Sequence, residues 1–233
     1  MQIRTCEKEK SKVKKTISKL QAWLTVIFVA AMLTSNVISA KQIQLPFGIT
    51  MTSAVIVFPI TYILSDIFSE VYGYGWSRTT CYMAFGANLL MVCVFSLAIC
   101  TPAPAYWSGQ EAFKQVLGST PRILGASLLG FVAGDFVNDR VFRAMKAKHS
   151  TDLKAFGWRA IISSFAGEAC DSAIFIPLAF FGQMPLTSML TMAAVQILLK
   201  VGYEIVILPV TSMAVKKIWK IEGGEKHGGR ATA

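Results

Sequence analysis

Apolar runs of about twenty residues recur along this chain, the length a helix needs to cross a hydrocarbon core of about 30 Å. They begin at Leu20 and continue almost to the end of the 233 residues. Little polar sequence lies between them, so no soluble module fits. Only 15% of residues are charged, against roughly 25% in soluble globular chains. The expected fold is all-α: a polytopic membrane protein whose six transmembrane helices form a single bundle.

The spans read as Leu20–Ala40, Ile49–Val71, Thr79–Thr101, Pro121–Phe142, Trp158–Phe181 and Leu186–Val215. Pro59 falls inside the second, and Pro102-Ala103-Pro104 ends the third. A proline at 121 suits a first helical turn. The first run is too long for a signal-peptide core and is followed by no clear small-x-small cleavage site, so it reads as an uncleaved helix. A lysine-rich leader (1–19), a six-helix domain (20–216) and a tail (217–233) complete the organisation.

Cations set the expected orientation. Nineteen of the 23 Lys and Arg fall in the leader, the loop holding Arg78, the stretch Arg140–Arg159 and the tail. The positive-inside rule puts these segments, and both termini, in the cytoplasm. The net charge of +10 is therefore a topology signal. Nucleic acid is not an expected partner, because such binding needs a basic face on a soluble scaffold.

Carboxylates are the functional clue. Seven of the 13 Asp and Glu sit inside the spans: Asp66, Glu70, Asp135, Asp139, Glu168, Asp171 and Glu204. Each carboxylate near the bilayer centre costs roughly 2.5–3.5 kcal/mol on insertion scales, so such groups face one another, a cation or a watery cavity. Their spacing agrees. Asp66 and Glu70 are four apart, Asn138 and Asp139 follow Asp135 by three and four, Glu168 and Asp171 are three apart, and Gln196, Lys200 and Glu204 step by four, so each set shares a helix face. Arg78 is positioned to reach Glu70 or Asp66 at the inner interface, where these three would form or brace a gate. A polar stripe on each of four helices points to one interior binding cavity, with Asn36 a further polar candidate beside Thr34-Ser35. Tyr203, next to Glu204, is a candidate stacking platform. Tyr62, Trp107 and Trp158 read as interface-belt or packing residues. Structural pairing, such as Lys200 with Glu204, is the alternative account of these charges.

Catalysis finds no support in the pattern. An intramembrane aspartyl protease needs GxGD, where this chain has Val132-Ala133-Gly134-Asp135; no DxxDGxxAR run or nucleophile motif occurs. The two histidines, His149 and His227, fall in basic loop and tail, and the five cysteines show no ligand spacing, so no metal or other cofactor is expected. Without a Walker motif the chain does not itself hydrolyse ATP.

The run Phe58-Pro59-Ile60-Thr61-Tyr62-Ile63-Leu64-Ser65-Asp66-Ile67-Phe68-Ser69-Glu70-Val71-Tyr72-Gly73 resembles the signature of the VUT family of queuosine-precursor transporters. So do Arg122 with Ala126-Ser127-Leu128, Gly167-Glu168 with Asp171-Ser172, Ala179-Phe180 with Gly182, and Leu199-Lys200 with Tyr203-Glu204 and Pro209. The resemblance runs from Ser35-Asn36 to about Pro209. It implies a six-helix carrier of the cell inner membrane that imports 7-deazaguanine precursors of queuosine, with the lipid bilayer and a small deazapurine as partners. Asn36, Glu168, Asp171, Gln196, Lys200, Tyr203 and Glu204 are the substrate-binding candidates, and Asp66, Glu70 and Arg78 the gating ones. Glu168 and Glu70 vary within the family. A solitary carrier is one form of this reading. The substrate-binding subunit of a multi-component importer is another, with Ala126, Gly130 and Gly134 as a small-residue face for docking a coupling helix. A homo-oligomer is compatible with either, and a non-transport membrane assembly protein would leave the buried carboxylates unexplained.

Overall fold

A computed structural model of the chain describes residues 17–148 and 153–222. The leader through residue 16, the stretch 149–152 and the tail from 223 lie outside the described residues. The protein is almost entirely helical: α1 (Lys19–Ile38), α2 (Phe58–Ile67), α3 (Tyr74–Cys100), α4 (Gln110–Leu117), α5 (Thr120–Lys148), α6 (Leu153–Phe180) and α7 (Leu186–Ile221). A small hairpin, β1 (Gln42–Gln44) and β2 (Thr50–Thr52), pairs antiparallel with Gln42 opposite Thr52.

Four helical stretches among the described residues are long and apolar enough to cross a membrane: Lys19–Ile38, Gly75–Cys100, Gln110–Asn138 and Leu186–Tyr203. α6 has the length, at 28 residues, but carries Glu168 and Asp171. Large apolar side chains such as Trp23, Leu90, Leu97, Val132, Leu198 and Val206 point outward. In water that surface would be an aggregation hazard; in a bilayer it is the solvated face.

α1 starts at a capping box. Ser18 Oγ accepts from the Gln21 N–H at 2.9 Å, and the Ser18 N–H donates to Gln21 Oε1 at 3.4 Å, satisfying two groups that a helix start otherwise leaves open. Ser18 Oγ also donates to Glu222 Oε1 at 2.5 Å, and the Tyr72 hydroxyl donates to the same oxygen at 3.0 Å. The start of α1 and the end of α7 therefore lie on one side of the bundle.

The second span departs from the continuous helix expected over 49–71. The chain first forms the hairpin, then a 3-10 turn (Ser53–Ile56), and only at Phe58 does α2 begin. Pro59 is the reason for that start: in the first turn its missing N–H interrupts nothing, whereas in a helix interior it would break a hydrogen bond. The β-branched Ile43, Thr50 and Thr52 favour extended backbone. Backbone of this kind is tolerated at membrane depth only when protein covers it, and Met51, Thr52, Ser53 and Ala54 are all buried. After ten residues α2 widens into a π-helical turn (Phe68–Tyr72) and stops at Gly73, whose φ of 88° is left-handed.

α5 and α6 form the most extensive helix pair. Glycine permits it. A Cβ at Gly134 would sit 2.8 Å from the Gly167 carbonyl oxygen, and one at Gly167 would sit 2.9 Å from Asn138 Cβ. A Cβ at Gly130 would fall 2.6 Å from Asp171 Oδ1. The Ala126–Gly130–Gly134 stripe, read from the sequence as a docking face, is thus occupied by the chain's own α6. At the far end of the pair, Arg122 Nε donates to the Leu178 carbonyl at 2.6 Å and Nη2 to that of Phe181 at 2.7 Å. These are carbonyls that the end of α6 leaves open.

Two apolar clusters bracket the bundle. One joins Met51, Ile123, Ile176, Phe180 and Met192. The other joins Phe28, Leu64, Phe68, Val215 and Ile218. Along α7 the residues between Met192 and Val215 include Gln196 and Lys200, so the polar groups fall between two dry plugs.

Because Gly167 faces Asn138 with no room for a methyl group, Gly167→Ala should force α5 and α6 apart and destabilise the protein by about 1–3 kcal/mol. Thermal unfolding in detergent measures this. A melting curve identical to wild type would contradict the close approach.

Candidate functional site

Between the two plugs lies a cavity of about 450 Å³. Every helix but α4 contributes to its wall. On α1 the lining residues Phe28, Met32, Ser35, Asn36 and Ser39 recur at the three- and four-residue steps of one helix face. α2 adds Thr61, Tyr62, Ser65 and Asp66, α3 adds Cys81 and Phe85, and α5 adds Ser127, Phe131, Asp135 and Asn138. α6 supplies Ser164, Glu168, Asp171 and Phe175, and α7 supplies Gln196 and Lys200. The volume lies in the range of small-molecule sites, roughly 300–1,000 Å³.

A buried ion cluster forms one wall. Lys200 Nζ donates to Asp171 Oδ2 at 2.6 Å and stands 2.5 Å from Glu168 Oε2. Only 10% of the Lys200 side chain is exposed, against 20% for Asp171 and 26% for Glu168. An ammonium buried this deeply needs compensation, and two carboxylates from the facing helix supply it. Their three-residue spacing turns both toward α7. Gly130 and Gly134 leave the space that Asp171 occupies, so the helix contact and the ion cluster are parts of one arrangement.

The cluster is not saturated. An ammonium has three donors, and the aligned hydrogen bond it makes within the cluster is the one to Asp171. Asp171 Oδ2 accepts from Lys200, while Oδ1 lies beside the bare Cα of Gly130, where a side chain would collide with it. The contact between Glu168 Oε2 and Lys200 is an ion pair without hydrogen-bond alignment. Nearby, Gln196 is 3% exposed and its Oε1 has no hydrogen-bond partner. A buried acceptor of this kind is expensive unless something bonds to it. Opposite, Asn36 Nδ2 donates to Asn88 Oδ1 at 2.5 Å. The remaining wall is aromatic: Phe28, Tyr62, Phe85, Phe131 and Phe175, with Phe85 and Phe131 edge to face at 5.4 Å. Flat apolar walls with a few convergent polar groups suit a planar heterocycle with one polar edge.

The residues singled out from the sequence divide as follows. Asn36, Glu168, Asp171, Gln196 and Lys200 come together on the lining, and Asp66 lines the cavity while remaining exposed. Glu70 is exposed on the π-helical turn, outside the lining. Arg78 lies 3.6 Å from Asp135 on α5, a partner that the sequence did not indicate for it. Tyr203 is half-buried on α7 and does not line the cavity. The side chain of Glu204 lies outside the described residues. Tyr62, read from sequence as a belt or packing residue, is on the wall instead. The cavity-facing phenylalanines carried no sequence signal, since in an apolar helix nothing distinguishes them from lipid-facing ones.

A family described as "Putative vitamin uptake transporter" matches residues 52–214, from β2 to near the end of α7. A "Probable queuosine precursor transporter" of Bacillus subtilis (strain 168) is 24% identical over 188 residues, which cover 79% of this chain and 80% of that protein. No solved structure matches.

Lys200→Met should leave two buried carboxylates facing each other without their cation, a loss of about 3–5 kcal/mol. Adding Glu168→Gln and Asp171→Asn to the same protein should recover most of it. Thermal stability in detergent reports both. A Lys200→Met protein as stable as wild type would mean that the carboxylates are already neutral.

Proposed function

We propose that this chain, which belongs to the putative vitamin uptake transporter family, imports 7-deazaguanine precursors of queuosine across the cell inner membrane as a solitary carrier. The observation that carries this reading is the unsaturated Lys200–Glu168–Asp171 cluster on the wall of an aromatic-lined cavity. A guanine-like edge offers a ring N–H and an amino group side by side, which one carboxylate accepts together, next to a carbonyl that needs a donor. Glu168 is the acceptor for that pair, because Asp171 already accepts from Lys200 whereas Glu168 Oε2 has no hydrogen-bond partner. Lys200, held in place by Asp171, donates to the carbonyl. Phe85, Phe131 and Tyr62 flank the ring. The name of the Bacillus subtilis relative supports the same class of cargo.

Cargo must enter and leave through a moving part, and the broken second span is suited to it. Discontinuous spans recur at the binding sites of secondary transporters, and π-helical turns are frequent at functional sites. Asp66, on the short helix α2, is the gating residue in this scheme, while the Arg78–Asp135 pair joins α3 to α5 beside it. Both termini lie in the cytoplasm by the distribution of Lys and Arg. The burial of the Ala126–Gly130–Gly134 stripe on α6 favours a solitary carrier over a subunit that docks coupling helices through that face.

Cells unable to make queuosine, expressing this chain and supplied with each precursor in turn, should take up labelled 7-deazaguanines and not adenine-like analogues. A site built to bond a polar edge rejects ligands that leave its own groups unpaired. Glu168→Gln should remain folded and weaken binding roughly ten- to a hundredfold, the scale of a charged hydrogen bond. A folded Glu168→Gln protein with unchanged affinity would contradict the assignment.

Asp66→Asn should slow uptake more than it weakens equilibrium binding to the purified protein. Equal loss of both would move Asp66 from the gate to the binding site.

A further inference from the structure

The wiring of the Asn36 amide fixes which of its ends the cavity meets. Asn88 on α3 is completely buried, and its Nδ2 donates to the Ala84 carbonyl at 2.8 Å. A backbone carbonyl only accepts, so the amino end of Asn88 must face Ala84 and its Oδ1 must face away. That oxygen receives Asn36 Nδ2 at 2.5 Å. Neither amide is free to turn over without setting acceptor against acceptor or donor against donor. One N–H of Asn36 is therefore engaged, and the amide is fixed with its carbonyl Oδ1 turned away from Asn88, in the wall of the cavity that Asn36 lines.

Its place in the fold gives that acceptor a target. α1 packs on α2 and α3, whereas α6 and α7, which carry Glu168 and Lys200, pack on each other. Asn36 thus meets a ligand from the wall away from the ion cluster. In a 7-deazaguanine whose amide edge lies against Glu168 and Lys200, the group toward the far wall is the pyrrole ring with its N–H.

We propose that Asn88 is a positioning residue that locks Asn36 Oδ1 as a hydrogen-bond acceptor, and that this acceptor selects cargo with a free pyrrole N–H, a free base rather than an N-substituted base or nucleoside. The inference rests on the deazaguanine reading above. If the pair were only glue between α1 and α3, altering it would change stability and leave ligand preference alone.

The test compares 7-deazaguanine with 9-methyl-7-deazaguanine, each binding to purified wild-type, Asn36→Ala and Asn88→Leu protein. Wild type should prefer the free base by about tenfold, the scale of one hydrogen bond with its unpaired acceptor. Asn36→Ala and Asn88→Leu should both bring the ratio to within about twofold, chiefly by weakening the free base. Asn88→Ser gives the same comparison should the bulkier variant fail to fold. A wild-type ratio near one overturns the proposal, and so does an unchanged ratio in either the Asn36 or the Asn88 variant. Failure of wild type to bind either compound would instead overturn the deazaguanine reading on which it rests.

Discussion

The contact of Lys200 with Glu168 and Asp171 governs the arrangement of the bundle. A lysine ammonium in the interior of a membrane protein is tolerated only with partners close at hand, and here both partners stand on one helix, α6. That requirement extends outward. Asp171 fits only because Gly130 carries no side chain, and α6 approaches α5 only because Gly134 and Gly167 leave their backbones bare. Arg122 then clamps the free end of α6 to the start of α5. A helix pair packed through glycine thus holds the ion cluster in place, and the cluster in turn ties α6 to α7.

What remains unsatisfied is as informative as what is paired. Structural ion clusters consume their donors and acceptors, since each one left over in a dry interior is a loss. Here Glu168 Oε2 touches Lys200 without hydrogen-bond alignment, and the Gln196 oxygen nearby has no hydrogen-bond partner. A ligand with a mixed donor–acceptor edge would complete both. In the proposed scheme the ring walls and the short α2 are the container and the door of one site, set between the two apolar clusters.

The sequence made much of this legible for one physical reason: charge inside an apolar helix has to face inward. The spacing of Glu168 with Asp171, and of Gln196 with Lys200, assigned faces that the structure brings together. Periodicity names a face and not the partner across from it, so the pairing of Arg78 with Asp135 and the contact of Asn36 with Asn88 were out of reach. The second span misled for a related reason. Hydropathy counts apolar residues over a window, and Ile49, Met51, Val55 and Ile56 contribute equally whether the backbone is helical or extended. Pro59, with Thr50-Met51-Thr52-Ser53 before it, was the local sign that the helix starts late. The glycines of α5 were visible as a stripe, but which helix they admit depends on the tertiary arrangement.

Cys81 offers the most direct test of the claim that cargo sits in this cavity. It is the cysteine on the lining among the described residues, half-buried on α3, and replacing Cys6, Cys93, Cys100 and Cys170 with alanine would leave it as the single thiol. The rate of its labelling by a small thiol reagent should fall several-fold when 7-deazaguanine is added at concentrations that saturate uptake. A labelling rate unchanged by the ligand, in protein that still transports it, would place the cargo elsewhere and contradict the account.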